Sequence, residues 1–472
     1  MIYRFDAFTL DSLTRRLTRD GAVVPLSDRH VDVLLCLVAH PNEVVGKETL
    51  VQTAWADVAV TDNSLEQAIS MLRRVPVSIA TVPRRGYRFD GNVEREASRH
   101  TDDELDALLA PHRAWLEGRA ALETLSVQQV VGAERAFRTV LDASPDHASA
   151  QVGLANALAF RFEASRTDED PDVAALATAI PHAREACRLQ PAWAEAWATL
   201  GFVLHRAGRH EEGVAAVRRA VELESDNWRH HLRLAFVCWG EARLRAAQRT
   251  LQLMPGLALA HWLAASVHVA RHAFEAADRE LIAGTAAQDE QVEGAMFAGI
   301  GLHWVSGLLR LSQGDEAAAE RHFDRELQFE DSGHLYAREC CTATWYAKGC
   351  QAFHRGDRQA AASAFGEVMR RVARHPMAMA ADVSTAGVTD TDLEERLQSL
   401  ATRGVVADVA LARAVRRVVR GLAPDLLALR HALQQAPPGT AAWYLPVEPM
   451  LRPTGNTAEW RPLLALLRSR AA

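Results

Sequence analysis

Between Thr61 and Phe89 the apolar residues change period across a single proline, and that change dictates a helix followed by a hairpin. Leu65, Ile69 and Leu72 stand at i, i+4 and i+7, the spacing that buries one face of a helix. Thr61 suits the N-cap and Asp62 the first turn. Pro76 lacks an amide hydrogen and forces the helix to end by Val75. Beyond it, Ile79–Val82 and Tyr87–Phe89 alternate as short strands around Pro83-Arg84-Arg85-Gly86. The outer face of the helix carries Asn63, Gln67, Ser70, Met71 and Arg74. From Gln67 to Phe89 there are five arginines and no acid. A polar-faced helix beside an arginine-tipped hairpin has the parts of a DNA groove reader.

The residues before it mix strands and helices. Tyr3–Leu10 and Arg15–Pro25 read as short strands, the second pair turning at Asp20-Gly21. A helix is expected over Asp28–Ala39, capped by Ser27, with Val31, Leu34, Leu35 and Val38 inward and Pro41-Asn42 as its stop. Lys47–Ala54 forms a second helix that carries Leu50 and leads into Trp55. Glu94–Asp103 is polar and charged and reads as a linker.

Asp20-Gly21, Leu26-Ser27, Leu34-Leu35, Leu50 with Trp55, Asp62-Asn63-Ser64-Leu65, Ile69 and Leu72-Arg73-Arg74 resemble the OmpR/PhoB-type winged helix-turn-helix domain. The ending Thr81-Val82-Pro83-Arg84-Arg85-Gly86-Tyr87-Arg88-Phe89 is similar to its CadC/ToxR-like branch. Two departures stand out: Val75-Pro76-Val77 closes directly where the family has a longer connection, and Gly46 stands where the family tends to place Ser or Thr. The resemblance implies double-stranded DNA as partner, with Asn63, Gln67, Ser70 and Met71 at the major groove. Asn and Gln can bond adenine bidentately and Met can meet a thymine methyl. Arg73 and Arg74 are placed for phosphates and Arg84 and Arg85 on the wing, with Arg85 reaching the minor groove. It also implies two copies bound head-to-tail on direct repeats, a homodimer on DNA, and contact with RNA polymerase through Trp55–Val60. No receiver domain precedes the segment and no membrane span follows it, so a phosphorelay-independent, one-component regulator is expected.

Past the linker the sequence becomes helical and repetitive. Trp197, Leu200, Gly201, Leu204, Gly213 and Ala220 fit the tetratricopeptide pattern. Trp345, Gly349, Phe353, Ala361 and Phe365 fit it again, with Gly356-Asp357 at the turn, as do His303, Gly307, Ala319 and Phe323 with Gly314-Asp315. Weaker copies surround Phe137, Leu154–Pro191, Leu234–Pro255 and His261–Leu281. Small residues let paired helices approach while Trp and Phe fill the wedge between neighbours. Beyond Met377, helices are expected over Asp390–Arg403, Val405–Gly421 and Asp425–Gln435. An extended Leu-Pro-x-x-Pro stretch and a last short helix follow.

The fold class expected is an α+β winged helix-turn-helix followed by an all-α tetratricopeptide-like solenoid. The domains are residues 1–93, a linker at 94–104, the solenoid at 105–376 and a helical cap and tail at 377–472. The chain has 472 residues and a net charge of −7, so any nucleic-acid site must be a local patch. Residues 1–95 balance at twelve basic and twelve acidic side chains. Lysine occurs only at Lys47 and Lys348. The six cysteines form no CxxC pair and read as buried free thiols. No signal peptide or apolar span is evident, which places the protein in the cytoplasm without a membrane partner. His261, His268 and His272 share a helical face, but no carboxylate or cysteine joins them at ligand spacing, so no metal or cofactor is expected. With no HExxH, GxSxG or Walker loop, the chain is not read as an enzyme. The solenoid is expected to take a protein or peptide in its groove. Alternatives are an interaction scaffold whose winged helix no longer binds DNA, and an antibiotic-regulator-like protein of similar build.

Overall fold

The computed structural model describes residues 1–55, 62–96, 102–291, 295–384, 387–437, 439–453 and 457–472, with side chains for all of these but 62–63, 102–105, 107–108 and 111. They form two compact units. One comprises Met1–Leu122, Val131–Ala159 and Leu176–Arg233; the other comprises Glu123–Val130, Phe160–Ala175 and Leu234–Ala472.

The first unit opens with strands β1 (Ile2–Phe5), β2 (Phe8–Asp11), β3 (Arg16–Arg19) and β4 (Ala22–Val24). Helix α1 (Asp28–Val38), strand β5 (Val44–Val45) and helices α2 (Lys47–Ala54) and α3 (Asp62–Leu72) follow, then β6 (Ile79–Val82), β7 (Gly86–Phe89) and β8 (Glu94–Glu96). One antiparallel sheet has the order β4-β3-β2-β1-β8 and the other β5-β7-β6. The stretch read as one strand, Tyr3–Leu10, is a hairpin in which Phe5 pairs with Phe8 across a turn at Asp6 (φ 49°). The expected linker is also corrected at both ends. Glu94–Glu96 pairs with Ile2–Arg4 as an edge strand, and helix α4 (Asp102–Glu123) begins before residue 105. Polar side chains conceal such a strand from a hydrophobicity argument, because an edge strand is held by its backbone.

Ser27 caps α1, its hydroxyl accepting from the His30 amide, and Val31, Leu34 and Val38 are buried. Leu35 is only half-buried, while Val33 and Leu37 are buried. Gly46 occupies the N-cap of α2 and offers no side-chain bond. The first turn of that helix therefore lacks the hydroxyl cap that Ser or Thr would supply. Helix α3 ends at Leu72, earlier than Val75, and Arg73–Pro76 form a turn into β6. Leu50, Leu65, Ile69, Leu72, Phe89 and Trp55 close one core with the sheet residues Phe5, Phe8, Leu10 and Leu17.

The helical residues of the first unit come from α4, α5 (Val127–Ala143), α6 (Ala148–Ser165), α7 (Val173–Leu189), α8 (Ala194–Arg206), α9 (His210–Leu223) and α10 (Trp228–Val237). The second unit contains α11 (Glu241–Leu253), α12 (Ala258–Ala270), α13 (Phe274–Asp289), α14 (Leu302–Ser312), α15 (Glu316–Leu327), α16 (Ala337–His354) and α17 (Arg358–Arg371). It ends with α18 (Pro376–Ala381), α19 (Asp390–Thr402), α20 (Val406–Val419), α21 (Leu426–Gln435) and α22 (Arg461–Arg470). The boundary expected after residue 376 falls within α18.

Helices α8/α9, α12/α13, α14/α15 and α16/α17 pack as pairs, and the glycines show why. A Cβ on Gly307 would stand 2.3 Å from the Phe323 ring, and one on Gly349 would stand 2.5 Å from Phe365. On Gly201 it would meet Val217 at 2.4 Å. Only a hydrogen side chain permits these approaches. At the turns, Gly314 (φ +85°) and Gly356 (φ +81°) take the left-handed conformation. Asp315 and Asp357 then cap the next helix, each accepting an amide at 2.9 Å from Ala318 and Ala360. This region is a tetratricopeptide-like array of helix pairs. The Leu-Pro-x-x-Pro stretch is not extended throughout, since Leu445–Val447 forms one 3-10 turn.

Candidate nucleic-acid interface

Helix α3 is positioned by its buried face. Leu65, Ile69 and Leu72 are at most 1% exposed, which turns Glu66, Ser70, Arg73 and Arg74 outward. Residues three and four apart share a helical face, so Ser70 and Arg74 stand together with Gln67 and Met71 beside them. Met71 is half-buried. Gln67 is also half-buried, and its Oε1 is enclosed without a hydrogen-bond partner among the described residues. The backbone of Asn63 lies in α3, but its side chain falls outside the described residues. So does the segment 56–61, and with it the Thr61 cap and most of the expected polymerase loop.

Arg73 has a different partner from the one its sequence position suggests. Its Nε donates to the Ile79 carbonyl at 3.0 Å and its guanidinium to the Thr81 hydroxyl at 2.7 Å. It therefore braces the first wing strand against the end of α3. The short connection through Pro76 brings strand and helix near enough for this bond.

The wing is a β6–β7 hairpin with Val82 opposite Gly86. Gly86 (φ +138°) is required twice over, since a Cβ there would lie 2.0 Å from the Val45 carbonyl oxygen of β5. Arg84 (φ 62°) sits in the left-handed region at the tip, and the Arg85 amide closes the turn to the Val82 carbonyl at 3.0 Å. Arg84 and Arg85 are exposed. Among the described residues, neither they nor Arg74 form an ion pair. Arg88 is spent on Asp90, whose carboxyl it holds below its ordinary range. On α3, the exposed Glu66 is met by Lys47 at 3.1 Å. The arrangement presents three uncommitted guanidinium groups, one on the helix and two on the wing tip. Phosphate oxygens of a duplex are the natural complement of that pattern.

Sequence reasoning missed a second set of arginine contacts, around α1. Arg15 pairs with Asp32 at 2.7 Å and with Asp28 at 3.6 Å. Arg29 donates to Glu224 at 2.8 Å, the Ser149 hydroxyl to Asp28 at 2.9 Å, and the Gln190 amide to the Leu26 carbonyl at 3.2 Å. Within this unit the winged helix is thus bonded to helical residues far along the chain. Glu224 also accepts from Asn227 at 2.8 Å and is bonded to His230 at 3.1 Å. Burial is the largest single influence and opposes its charge, but Arg29, His230 and Asn227 together outweigh it and hold the carboxyl below its ordinary range. Burial pushes His30 down to about 4. No local pattern signals such pairs, because their members lie so far apart in sequence.

The other sequence candidates are structural. His261 bonds Glu280 at 2.7 Å, His230 bonds Glu224, and His231 donates to the Ser225 carbonyl at 2.8 Å. Among the described residues no three His, Cys, Asp or Glu side chains gather as metal ligands. Cys340, Cys341 and Cys350 are buried, and burial pushes the Cys341 thiol up to about 12. No helix among the described residues is long and apolar enough to cross a membrane.

Residues 21–89 match the family described as "Transcriptional regulatory protein, C terminal". The chain is 35% identical over 82 residues to the transcriptional activator CadC of Escherichia coli, a match covering 16% of each chain. It is 37% identical over 100 residues to the cholera toxin homolog transcriptional activator of Vibrio parahaemolyticus, covering 19% of this chain and 34% of that one. Both matches span well under two thirds of the relatives' length. Among solved structures, a human IFIT1 dimer aligns at a TM-score of 0.47 with 15% identity, covering 69% of this chain and 70% of that one. Likeness at that level is no guide to function. The N-terminal domain is an OmpR/PhoB-type winged helix-turn-helix with relatives among CadC- and ToxR-like activators.

Proposed function

We propose that this chain is a one-component transcriptional regulator whose winged helix binds promoter DNA in a sequence-specific manner and whose helix pairs receive a protein partner. The observation that carries the reading is the set of exposed arginines without ion pairs among the described residues, Arg74 on α3 and Arg84 and Arg85 on the wing, in a domain of transcriptional-regulator type. Gln67, Ser70 and Met71 are the base-reading candidates with described side chains, and Asn63 completes the proposed set. Arg73 acts chiefly by holding the wing in register. A second copy on a direct repeat and RNA polymerase are proposed partners by family resemblance. No catalytic role is proposed, and the cytoplasm is the proposed location.

The test is the affinity of the full chain, as wild type and as Arg84→Ala/Arg85→Ala, for a duplex recovered by genome-wide mapping of bound DNA, measured across a salt series. Each lost phosphate contact lowers the slope of log K against log[salt] by about 0.9. The double variant should show a slope reduced by up to about 2 and an affinity reduced roughly tenfold or more at 0.1 M salt. Unchanged affinity and slope would remove the assignment. A scaffold reading draws on two observations, the exposed Glu66 on α3 and the enclosed Gln67 oxygen, both unfavourable in a groove reader. It expects no bound duplex at all.

A further inference from the structure

The chain carries its own peptide against its helix pairs. Within the second unit, Trp443–Leu451 lies across α12, α14 and α16, the first helices of three successive pairs. Leu445 is 0% exposed, Val447 2% and Met450 1%. Val447 packs in the cluster formed by Ala265, Leu302, Val305 and Ala347. Trp443 meets the edges of Trp262 and Trp304 at centroid distances of 5.7 and 6.0 Å. The Tyr346 hydroxyl donates to the Glu448 carboxylate at 2.7 Å, and the His354 ring donates to the Met450 carbonyl at 3.0 Å. An apolar run, a proline turn and one carboxylate are thus read by side chains from three helices.

The fit carries local costs. The Trp262 indole packs on Trp443, but its N–H is buried on the side of Gly301 without an acceptor among the described residues. Glu448 is 1% exposed, yet it forms no ion pair among the described residues, and burial raises its carboxyl to about 7. The chain enters and leaves the segment through Ala442 (φ 51°) and Arg452 (φ 44°), two non-glycine residues in the left-handed region. A buried carboxylate without a cationic partner and left-handed backbone at both ends are features of a ligand that can be improved upon.

We propose that the face of α12, α14 and α16 is a peptide-binding surface, that Trp443–Leu451 is its resident occupant, and that its partner is a protein segment of the same chemistry. That partner segment is proline-containing and apolar with a single carboxylate. The proposal rests on the partner-binding half of the proposed function and is independent of the DNA-binding half.

The experiment uses the full chain with a protease site inserted between Gly439 and Thr440, where nothing lies within 4 Å of a Cβ built on Gly439. The probe is a fluorescent synthetic peptide of residues 440–472, followed by anisotropy with no DNA present. After cutting, the probe should exchange with the resident fragment, while the uncut chain binds it at least about tenfold more weakly because its own segment is tethered. A probe carrying Leu445→Asp should exchange at least about a hundredfold less well, because it puts a charge at a fully buried position. Failure of the cut chain to exchange, or equal exchange by both probes, overturns the proposal. A doubled mass of the uncut chain, abolished by Leu445→Asp in that chain, would assign the face to a second copy's tail and also overturn it.

Discussion

Removing Arg29 should loosen the winged helix from the helices it is bonded to in its own unit. The Arg29–Glu224 pair spans 2.8 Å, and each side chain is 19% exposed. At an effective dielectric of 20, that separation corresponds to about 6 kcal/mol of gross attraction. Desolvation of both ions returns most of it. Loss of one partner from a fully buried pair costs about 3–5 kcal/mol. Here Asn227 and His230 still hold Glu224 at 2.8 and 3.1 Å, so the residual anion is not abandoned. A coupling of about 2 kcal/mol remains, roughly thirtyfold in an opening equilibrium. Native-state hydrogen exchange on Arg29→Ala, Glu224→Ala and the double variant measures it without assuming a single unfolding step. Peptides covering Leu26–Leu37 and Glu224–Val237 should both exchange roughly thirtyfold faster in either single variant, with little further change in the double. The reasoning fails if Arg29→Ala affects only the first peptide, Glu224→Ala only the second, and the effects add.

Three further outcomes follow from the same geometry. Gly349→Ala should lower thermal stability by about 1–3 kcal/mol despite alanine's better helix propensity, because the new Cβ would stand 2.5 Å from the buried Phe365 ring; a raised Tm would refute the close-packing account. Arg73→Ala should free the first wing strand, seen as roughly fivefold faster exchange at Ile79–Val82, about 1 kcal/mol for its bonds to Ile79 and Thr81. Burial raises Glu326 to about 7 even though the Gly301 and Trp304 amides donate to it. Its folded state favours the proton, so its contribution is whole below pH 4.5 and is lost as pH rises through about 7. Glu326→Gln should therefore change little at pH 4 relative to wild type and gain relative stability up to pH 7, by about 2–3 kcal/mol in all. His30, held near 4 by burial, acts in the opposite sense: its contribution is whole above pH 6.5 and is lost as pH falls toward 4.

Much of the winged helix was legible because its signals are local. The spacing of Leu65, Ile69 and Leu72 marked the buried face of α3, Ser27 marked the start of α1, and Asp20-Gly21 marked a hairpin turn. The helix pairs were legible because small residues recur where two helices must touch, as Gly201, Gly307 and Gly349 do. Illegible elements lacked side-chain periodicity. Strand β5 has two residues and β8 is Glu-Arg-Glu, and both are held by backbone bonds to partners distant in sequence. The role of Arg73 turned on where its guanidinium ends: its sequence position suggested a phosphate, and the structure gives it to the wing strand.

By itself the sequence determined the order of elements: a strand-bordered, polar-faced helix with an arginine-tipped hairpin, followed by paired helices. Those are properties of neighbours along the chain, set by side-chain period, capping and the special geometry of proline and glycine. Only the tertiary structure decided which charges are committed. It joined Arg29 to Glu224, Arg88 to Asp90 and Arg73 to the wing, and among the described residues it left Arg74, Arg84 and Arg85 without ion pairs. It also laid Trp443–Leu451 across α12, α14 and α16. Charges pair through space over a few ångströms, so their partners are fixed by how elements pack and not by where residues fall in the chain.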